Sequence, residues 1–238
     1  MIIITGCGRS GTSAVARIIH ESGLPVGRDL IEGDEGNAEG YFEERPVIAL
    51  NERILLSAGL HQAFATATRG EVLTAAAPLD AEMRTLAALA TPAWKDPRFC
   101  WTLEAWLPHF AGRPRVIVCL RSPAEVVAST LRYYGQAGEE PARAVEHTWR
   151  SEYERLLDVI ASFALDAVAI EYGELHADPR SAVRPLERFL DRPLDVTGVR
   201  AHLRHHAAAV PDDLAALYAR VRSLRDRWTS PGRAAAAP

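Results

Sequence analysis

Ile2-Ile3-Ile4-Thr5-Gly6-Cys7-Gly8-Arg9-Ser10-Gly11-Thr12-Ser13 is the stretch that decides the fold. Its apolar, β-branched opening, residues 1–6, reads as a buried strand that stops at glycine. Residues 12–22 then set Val15, Ile18 and Ile19 on one helical face. Strand, glycine loop and helix in that order open a βαβ unit. The spacing Gly6-x-x-x-x-Gly11-Thr12-Ser13 outlines a phosphate-binding loop, with Thr12 where a nucleotidase loop carries lysine. The physics of anion binding survives that change. Glycines permit positive φ, successive amides of Gly8, Arg9, Ser10, Gly11, Thr12 and Ser13 turn toward an anion, and the following helix adds its dipole. What is lost is the lysine that reaches the outer phosphates of a triphosphate. Arg9 offers a replacement cation.

Outward from this unit, 115–120 (RVIVCL) and 167–172 (AVAIEY) read as further buried strands, and 92–96 as a short one entering Lys95-Asp96-Pro97-Arg98. Helices are expected at 46–60, 79–91, 101–110, after Pro123 to about Tyr134, and over 141–163, 180–190 and 212–228. Ser122-Pro123-Ala124-Glu125 has the form of a capping box. Residues 23–45, rich in Gly, Asp and Glu, read as a long loop or lid. Short apolar strands alternating with helices argue for an α/β fold with a central parallel sheet covered by helices on both faces. No repeat or linker divides the chain, so residues 1–228 are expected to be one domain, with 229–238 a disordered tail.

The 238 residues suffice for such a domain, and no apolar run approaches the roughly 18 residues of a membrane span. A net charge of -4 argues against a nucleic-acid partner. Cys7, Cys100 and Cys119 show neither disulfide nor metal spacing, and nor do the eight histidines, including His205-His206. The thiols fit a reduced, cytoplasmic protein. The basic residues are 26 arginines and one lysine, Lys95. A lone lysine in an arginine-biased chain raises the question of what it does that arginine cannot.

Arg121 closes the strand RVIVCL and Ser129 lies eight residues on, in the next helix. Parallel sheets bind ligands at the carboxyl ends of their strands, so this pair is placed to hold a second phosphate. Two anion sites on neighbouring strands point to a nucleotide with phosphates at both 5′ and 3′ positions.

Here the sequence resembles the sulfotransferases that use 3′-phosphoadenosine 5′-phosphosulfate (PAPS). Arg9-Ser10-Gly11-Thr12 is similar to that family's 5′-phosphosulfate loop, and Arg121 with Ser129 to its 3′-phosphate site. Tyr172-Gly173-Glu174-Leu175, Asp178-Pro179 and Phe189-Leu190 follow its later pattern. Lys95-Asp96-Pro97 resembles a run in tyrosylprotein and some bacterial members, and Gly40-Tyr41-Phe42-Glu43 an element of the bacterial ones. The resemblance covers about residues 2–190. It implies a P-loop-like fold and metal-independent transfer of a sulfuryl group from PAPS to a hydroxyl or amine of a small-molecule, carbohydrate or natural-product acceptor, releasing PAP.

On that reading Arg9 and the loop amides hold the 5′-phosphate, while Lys95 approaches the bridging or sulfuryl oxygens as a point charge. Tyr172 is expected at the nucleotide. Glu43 is the expected base, with Glu44 the first alternative and a solvated pair beside Arg45 the plain one. Asp96 is expected to orient Lys95 or Arg98. Trp94, Trp101, Trp106 and Phe110 line either an acceptor pocket or the core. The rival readings are a P-loop kinase or nucleotidase, disfavoured by Thr12, and a nucleotide-binding protein without catalysis.

Overall fold

The computed structural model describes residues 1–34, 37, 40–60, 65–89, 91–199 and 210–229. His205-His206 and all but the first residue of the 229–238 tail lie outside them. Four parallel strands, β1 (Ile2–Thr5), β2 (Ala93–Lys95), β3 (Arg115–Leu120) and β4 (Ala167–Glu171), form a sheet in the order β2-β1-β3-β4. The strands read as apolar runs because both faces are covered. Their pleat divides the core in two. Ile3, Trp94, Val116, Val118 and Leu120 face one cluster, whereas Ile2, Ile4, Ala93, Ile117, Cys119 and Ile170 face the other.

Helices α1 (Thr12–Glu21), α2 (Arg45–Ser57), α3 (Arg69–Ala76), α4 (Asp80–Ala87) and α5 (Phe99–Trp106) precede β3. Then come α6 (Pro123–Tyr133), α7 (Glu139–Ser162), α8 (Tyr172–Ala177), α9 (Pro179–Ala182), α10 (Arg184–Leu190) and α11 (Asp212–Arg222). None of the helices among the described residues is long and apolar enough to cross a membrane.

Four local expectations change. Helix α3 lies ahead of the expected 79–91 helix, started by a reciprocal capping box in which Thr68 Oγ1 accepts from the Glu71 amide and Glu71 accepts from the Thr68 amide. No such box forms at Ser122: its side chain does not cap α6, and Glu125 instead meets Arg121 Nε at 3.4 Å. The 180–190 helix is two pieces, because Pro185 has no N–H to continue the ladder across Val183. The 212–228 helix tightens into a 3₁₀ turn over Ser223–Trp228.

The described residues of 23–45, expected as a long loop or lid, form a strap pinned to the body. Val26 bridges Ala93, Leu30 bridges Glu44, and the Gly27 amide donates to the Ala93 carbonyl at 2.9 Å.

The loop after β1 is pressed onto β3. A Cβ at Gly6, whose φ is +147°, would lie 2.2 Å from the Cys119 carbonyl oxygen. That carbonyl accepts from Tyr153 Oη at 2.6 Å, and the Cys7 amide donates to the same hydroxyl at 3.4 Å, so α7 fixes both sides of the contact. Gly6→Ala is therefore expected to cost about 2–3 kcal/mol or more in strain and displacement. For a chain of this size that lowers Tm by roughly 5–10 °C in a thermal melt. A melt within a degree of wild type would show that the loop yields without cost.

Candidate active site

Register brings the candidate side chains to one rim. Ile4 pairs with Lys95 and with Ile117, and Leu120 pairs with Glu171. The glycine loop, Lys95-Asp96, Arg121 and Tyr172 therefore leave four adjacent strands at their carboxyl ends.

Helix α1 begins after Gly11 (φ +90°) with no capping side chain and no acidic residue in its first turn. Its leading amides are the free donors of a helix N-terminus. A Cβ on Gly11 would stand 2.4 Å from the Tyr172 ring, so only glycine lets β4's exit close over the loop. Arg9 adopts φ +66°, a left-handed conformation unfavourable for a side-chain-bearing residue. Its Nε donates to Ser129 Oγ at 3.2 Å, and its guanidinium lies 4.8 Å from the centre of the Tyr133 ring. Arg121 Nη1 donates to the Arg9 carbonyl at 3.1 Å, and its guanidinium sits 4.2 Å above the Tyr172 ring. Arg121 is buried, and its Nη2 has no hydrogen-bond partner. Arg9, Arg121, Ser129, Tyr133 and Tyr172 thus form one cationic and aromatic cluster beside the loop.

On the other side of the loop, Lys95 is 2% exposed. Its Nζ donates to Ser13 Oγ at 3.2 Å and to the Glu43 carboxylate. Glu43 arrives there through two left-handed residues, Gly40 (φ +92°) and Phe42 (φ +56°). Burial raises the Glu43 carboxyl above its ordinary value; Lys95 and Arg98 oppose that rise, and the nearby Asp96 charge adds to it. Arg98 Nη1 lies 3.5 Å from Glu43 and 3.0 Å from Asp96, and Nη2 2.6 Å from Glu52. Asp96, fully buried, accepts from Asn51 Nδ2 at 2.8 Å. Asn51 Oδ1 in turn accepts from Thr102 Oγ1 at 2.9 Å and Trp106 Nε1 at 2.8 Å.

The two neighbouring glutamates part company. Glu44 turns away from Lys95 and accepts from the backbone amides of Arg28 and Asp29, so its carboxylate pins the strap. Asp96 accepts from the Arg98 amide at 2.9 Å and from Arg98 Nη1 at 3.0 Å, and so orients Arg98. Trp94 and Trp106 are core, with ring centres 5.3 Å apart, and Phe110 packs on both. Trp101 is buried but borders a cavity beside the loop. Asn51 was not singled out from the sequence, although it interrupts the apolar inner stripe Val47, Leu50, Ile54 of α2. Glu152 interrupts the corresponding stripe of α7 in the same way. Among the described residues no cluster of three or more His, Cys, Asp or Glu side chains is placed to hold a metal.

Known proteins agree with this architecture. No curated protein matches the sequence. The sulfotransferase domain of the curacin biosynthetic pathway is similar at a TM-score of 0.51 and 18% identity, over 97% of this chain and 90% of that one. The sulfotransferase domain of the Synechococcus PCC 7002 olefin synthase is similar at 0.52 and 18% identity, over 99% and 89%. At such identity these likenesses speak for the fold. The model of the sulfotransferase family matches residues 2–196, from β1 past α10, and the chain belongs to that family.

Proposed function

We propose that residues 1–228 act as one domain that moves a sulfuryl group from PAPS to a hydroxyl or amine of a small-molecule, carbohydrate or natural-product acceptor, in the cytoplasm. The observation that carries this reading is Arg121 Nη2, a buried guanidinium nitrogen without an acceptor, set beside Arg9 and Ser129 at the end of β3. A buried charged donor left unmatched costs free energy that a phosphate oxygen restores. The fit therefore favours a 3′-phosphate between Arg121 and Ser129, with the Tyr172 ring packing at the nucleotide. The leading amides of α1 and the loop Gly8–Ser13 suit the 5′-phosphate. Arg9 belongs to both, with its backbone in the loop and its side chain on Ser129.

PAPS supplies the sulfuryl group; the chain supplies position, charge and a base. Glu43 takes the acceptor's proton as the acceptor oxygen or nitrogen bonds to sulfur. The bond from sulfur to the 5′-phosphate oxygen breaks, and its electron pair leaves with PAP. Lys95, Arg9 and the loop amides meet that growing negative charge. Ser13 and Glu43 hold Lys95 until then.

At about 100 times its dissociation constant, PAP is expected to stabilise the protein by roughly 2.7 kcal/mol, or several degrees in a melt, while ADP, ATP and GTP do much less. Arg121→Ala should erase the preference. Equal shifts by PAP and ADP on the wild type would leave no role for a 3′-phosphate and return the kinase reading.

Glu43→Gln keeps an oxygen for Lys95 and loses the base. Turnover should fall about 10²–10⁴-fold with PAP affinity retained. In the wild type the acid limb of kcat/KM should lie above the ordinary glutamate range of about 4.3, because burial raises this carboxyl and only its ionised form accepts a proton. An undiminished Glu43→Gln turnover would move the base elsewhere.

Lys95→Arg forces a planar fork into a site that is 2% exposed. A loss of at least about tenfold in kcat, with PAP binding kept, is the expected result. Wild-type turnover would make the lone lysine an accident of composition.

A further inference from the structure

A cavity of about 380 Å³ opens where the glycine loop meets Pro97 and Arg98, with Gly8 on its border. Arg98 Nη1 lies 3.5 Å from Glu43, so one side chain links the cavity to the Glu43–Lys95 pair. Gly8 differs from the other glycines of the loop. Gly6 and Gly11 have positive φ and press against Cys119 and Tyr172, whereas a Cβ at Gly8 would meet nothing within 4 Å. Neither backbone strain nor packing within the chain calls for glycine there, and its bare backbone leaves room beside the loop for a reacting group.

The charged side chains and the one aliphatic hydroxyl that border this space are engaged within the chain or shut inside it. Glu52 meets Arg98 Nη2 at 2.6 Å, and Nη1 of the same guanidinium faces Glu43 and Asp96. Thr148 Oγ1 donates to the Ala144 carbonyl at 3.0 Å. Glu152 accepts from Trp101 Nε1 at 3.0 Å and has the Cys7 thiol as a second, weaker donor, and its other oxygen is buried. What remains is apolar surface: Leu55, Leu60 and the Trp101 ring within, and Leu56 and Tyr134 toward solvent. Five large hydrophobic side chains are exposed among the described residues; Leu56 and Tyr134 are two of them, and Tyr133, a third, packs edge-on against Tyr134. Exposed apolar surface is thus gathered at this cavity, as it is where apolar ligands bind.

Resting on the sulfotransferase reading, we propose that the acceptor binds in this cavity and that it is an alcohol or amine with a hydrocarbon body, taken in preference to a carbohydrate or to a molecule whose body carries an anion. A sugar would give up water at several hydroxyls and meet few free polar partners along Leu55, Leu60 and Trp101. A distal carboxylate would find Arg98, the one cation among the lining residues, already faced by Glu43, Asp96 and Glu52. A hydrocarbon body meets neither obstacle and gains with each methylene that it buries.

Five probes that each carry a primary hydroxyl separate these cases: ethanol, 1-butanol, 1-hexanol, 6-hydroxyhexanoate and methyl α-D-glucopyranoside. PAPS-dependent release of PAP gives kcat/KM for each with the full chain, and ligand-observed NMR without nucleotide gives binding. From ethanol to 1-hexanol kcat/KM should rise at least about thirtyfold, or more than about twofold per methylene. By NMR, 1-hexanol should bind at least about tenfold tighter than 6-hydroxyhexanoate or the glucoside. Leu56 is exposed, so Leu56→Gln spares the core, and it should flatten the rise along the alcohol series. A flat series in the wild type, a glucoside or hydroxyhexanoate that matches 1-hexanol, or an undiminished slope in Leu56→Gln would overturn the assignment. Failure of PAP to stabilise the protein strikes the sulfotransferase reading by itself, because the NMR order is read without nucleotide.

Discussion

The buried ion pair between Lys95 and Glu43 is the constraint around which the rim is organised. Two charges withdrawn from water cost several kcal/mol each, and their mutual attraction repays that only if the remaining polar valences are also satisfied. The structure supplies them in layers. Ser13 takes a second Lys95 hydrogen, and Arg98 faces the other Glu43 oxygen. Asp96 holds Arg98, Asn51 holds Asp96, and Thr102 and Trp106 hold Asn51. A chain of polar groups therefore runs from α1 through the strap and β2 into α2 and α5. Each member restricts the next, so the lysine is delivered in one place even though its own side chain is long and flexible.

The strap has its own role in this arrangement. Glu44 spends its carboxylate on two backbone amides of the preceding turn, which fixes where residue 43 enters. The positive φ of Phe42, unfavourable for a side-chain-bearing residue, then swings Glu43 inward. Adjacent glutamates of equal intrinsic chemistry come to serve different ends because the backbone sends one to amides and the other to an ammonium. No periodicity or composition distinguishes them.

That contrast also marks how far the sequence could be read. Continuous apolar runs such as Ile2–Thr5 and Arg115–Leu120 announce strands buried on both faces, and the sheet, its parallel sense and the loop-to-helix turn follow from them. That Arg121 follows β3, that Ser129 falls in α6 and that the glycine loop leads into α1 could be read because those spacings are local. Helix α3 was also written locally, in Thr68-x-x-Glu71, whereas the similar Ser122-x-x-Glu125 fails because Arg121 competes for the glutamate. Contacts between distant elements were not legible: that Arg9 reaches Ser129, that Tyr153 joins the loop to β3, or that Asn51 supports Asp96. Their only trace is a polar residue in an apolar helical stripe, as at Asn51 and Glu152.

These two stripe-breakers show why a buried polar residue is informative only with its partners. Asn51 donates to Asp96 and accepts from Thr102 and Trp106, so the interior closes around it as structure. Glu152 accepts from Trp101 Nε1 at 3.0 Å and has the Cys7 thiol as a second, weaker donor. Glu43 is the third case: burial lifts its carboxyl, yet Lys95 and Arg98 pull it back, whereas at Glu152 only the Trp101 and Cys7 hydrogen bonds oppose a rise to about 7. The two glutamates therefore differ in the charges and donors set against their burial. At Glu43 burial and the Asp96 charge prevail over Lys95 and Arg98, so its carboxyl stays above its ordinary value despite the two cations. Environment rather than residue type sets them apart.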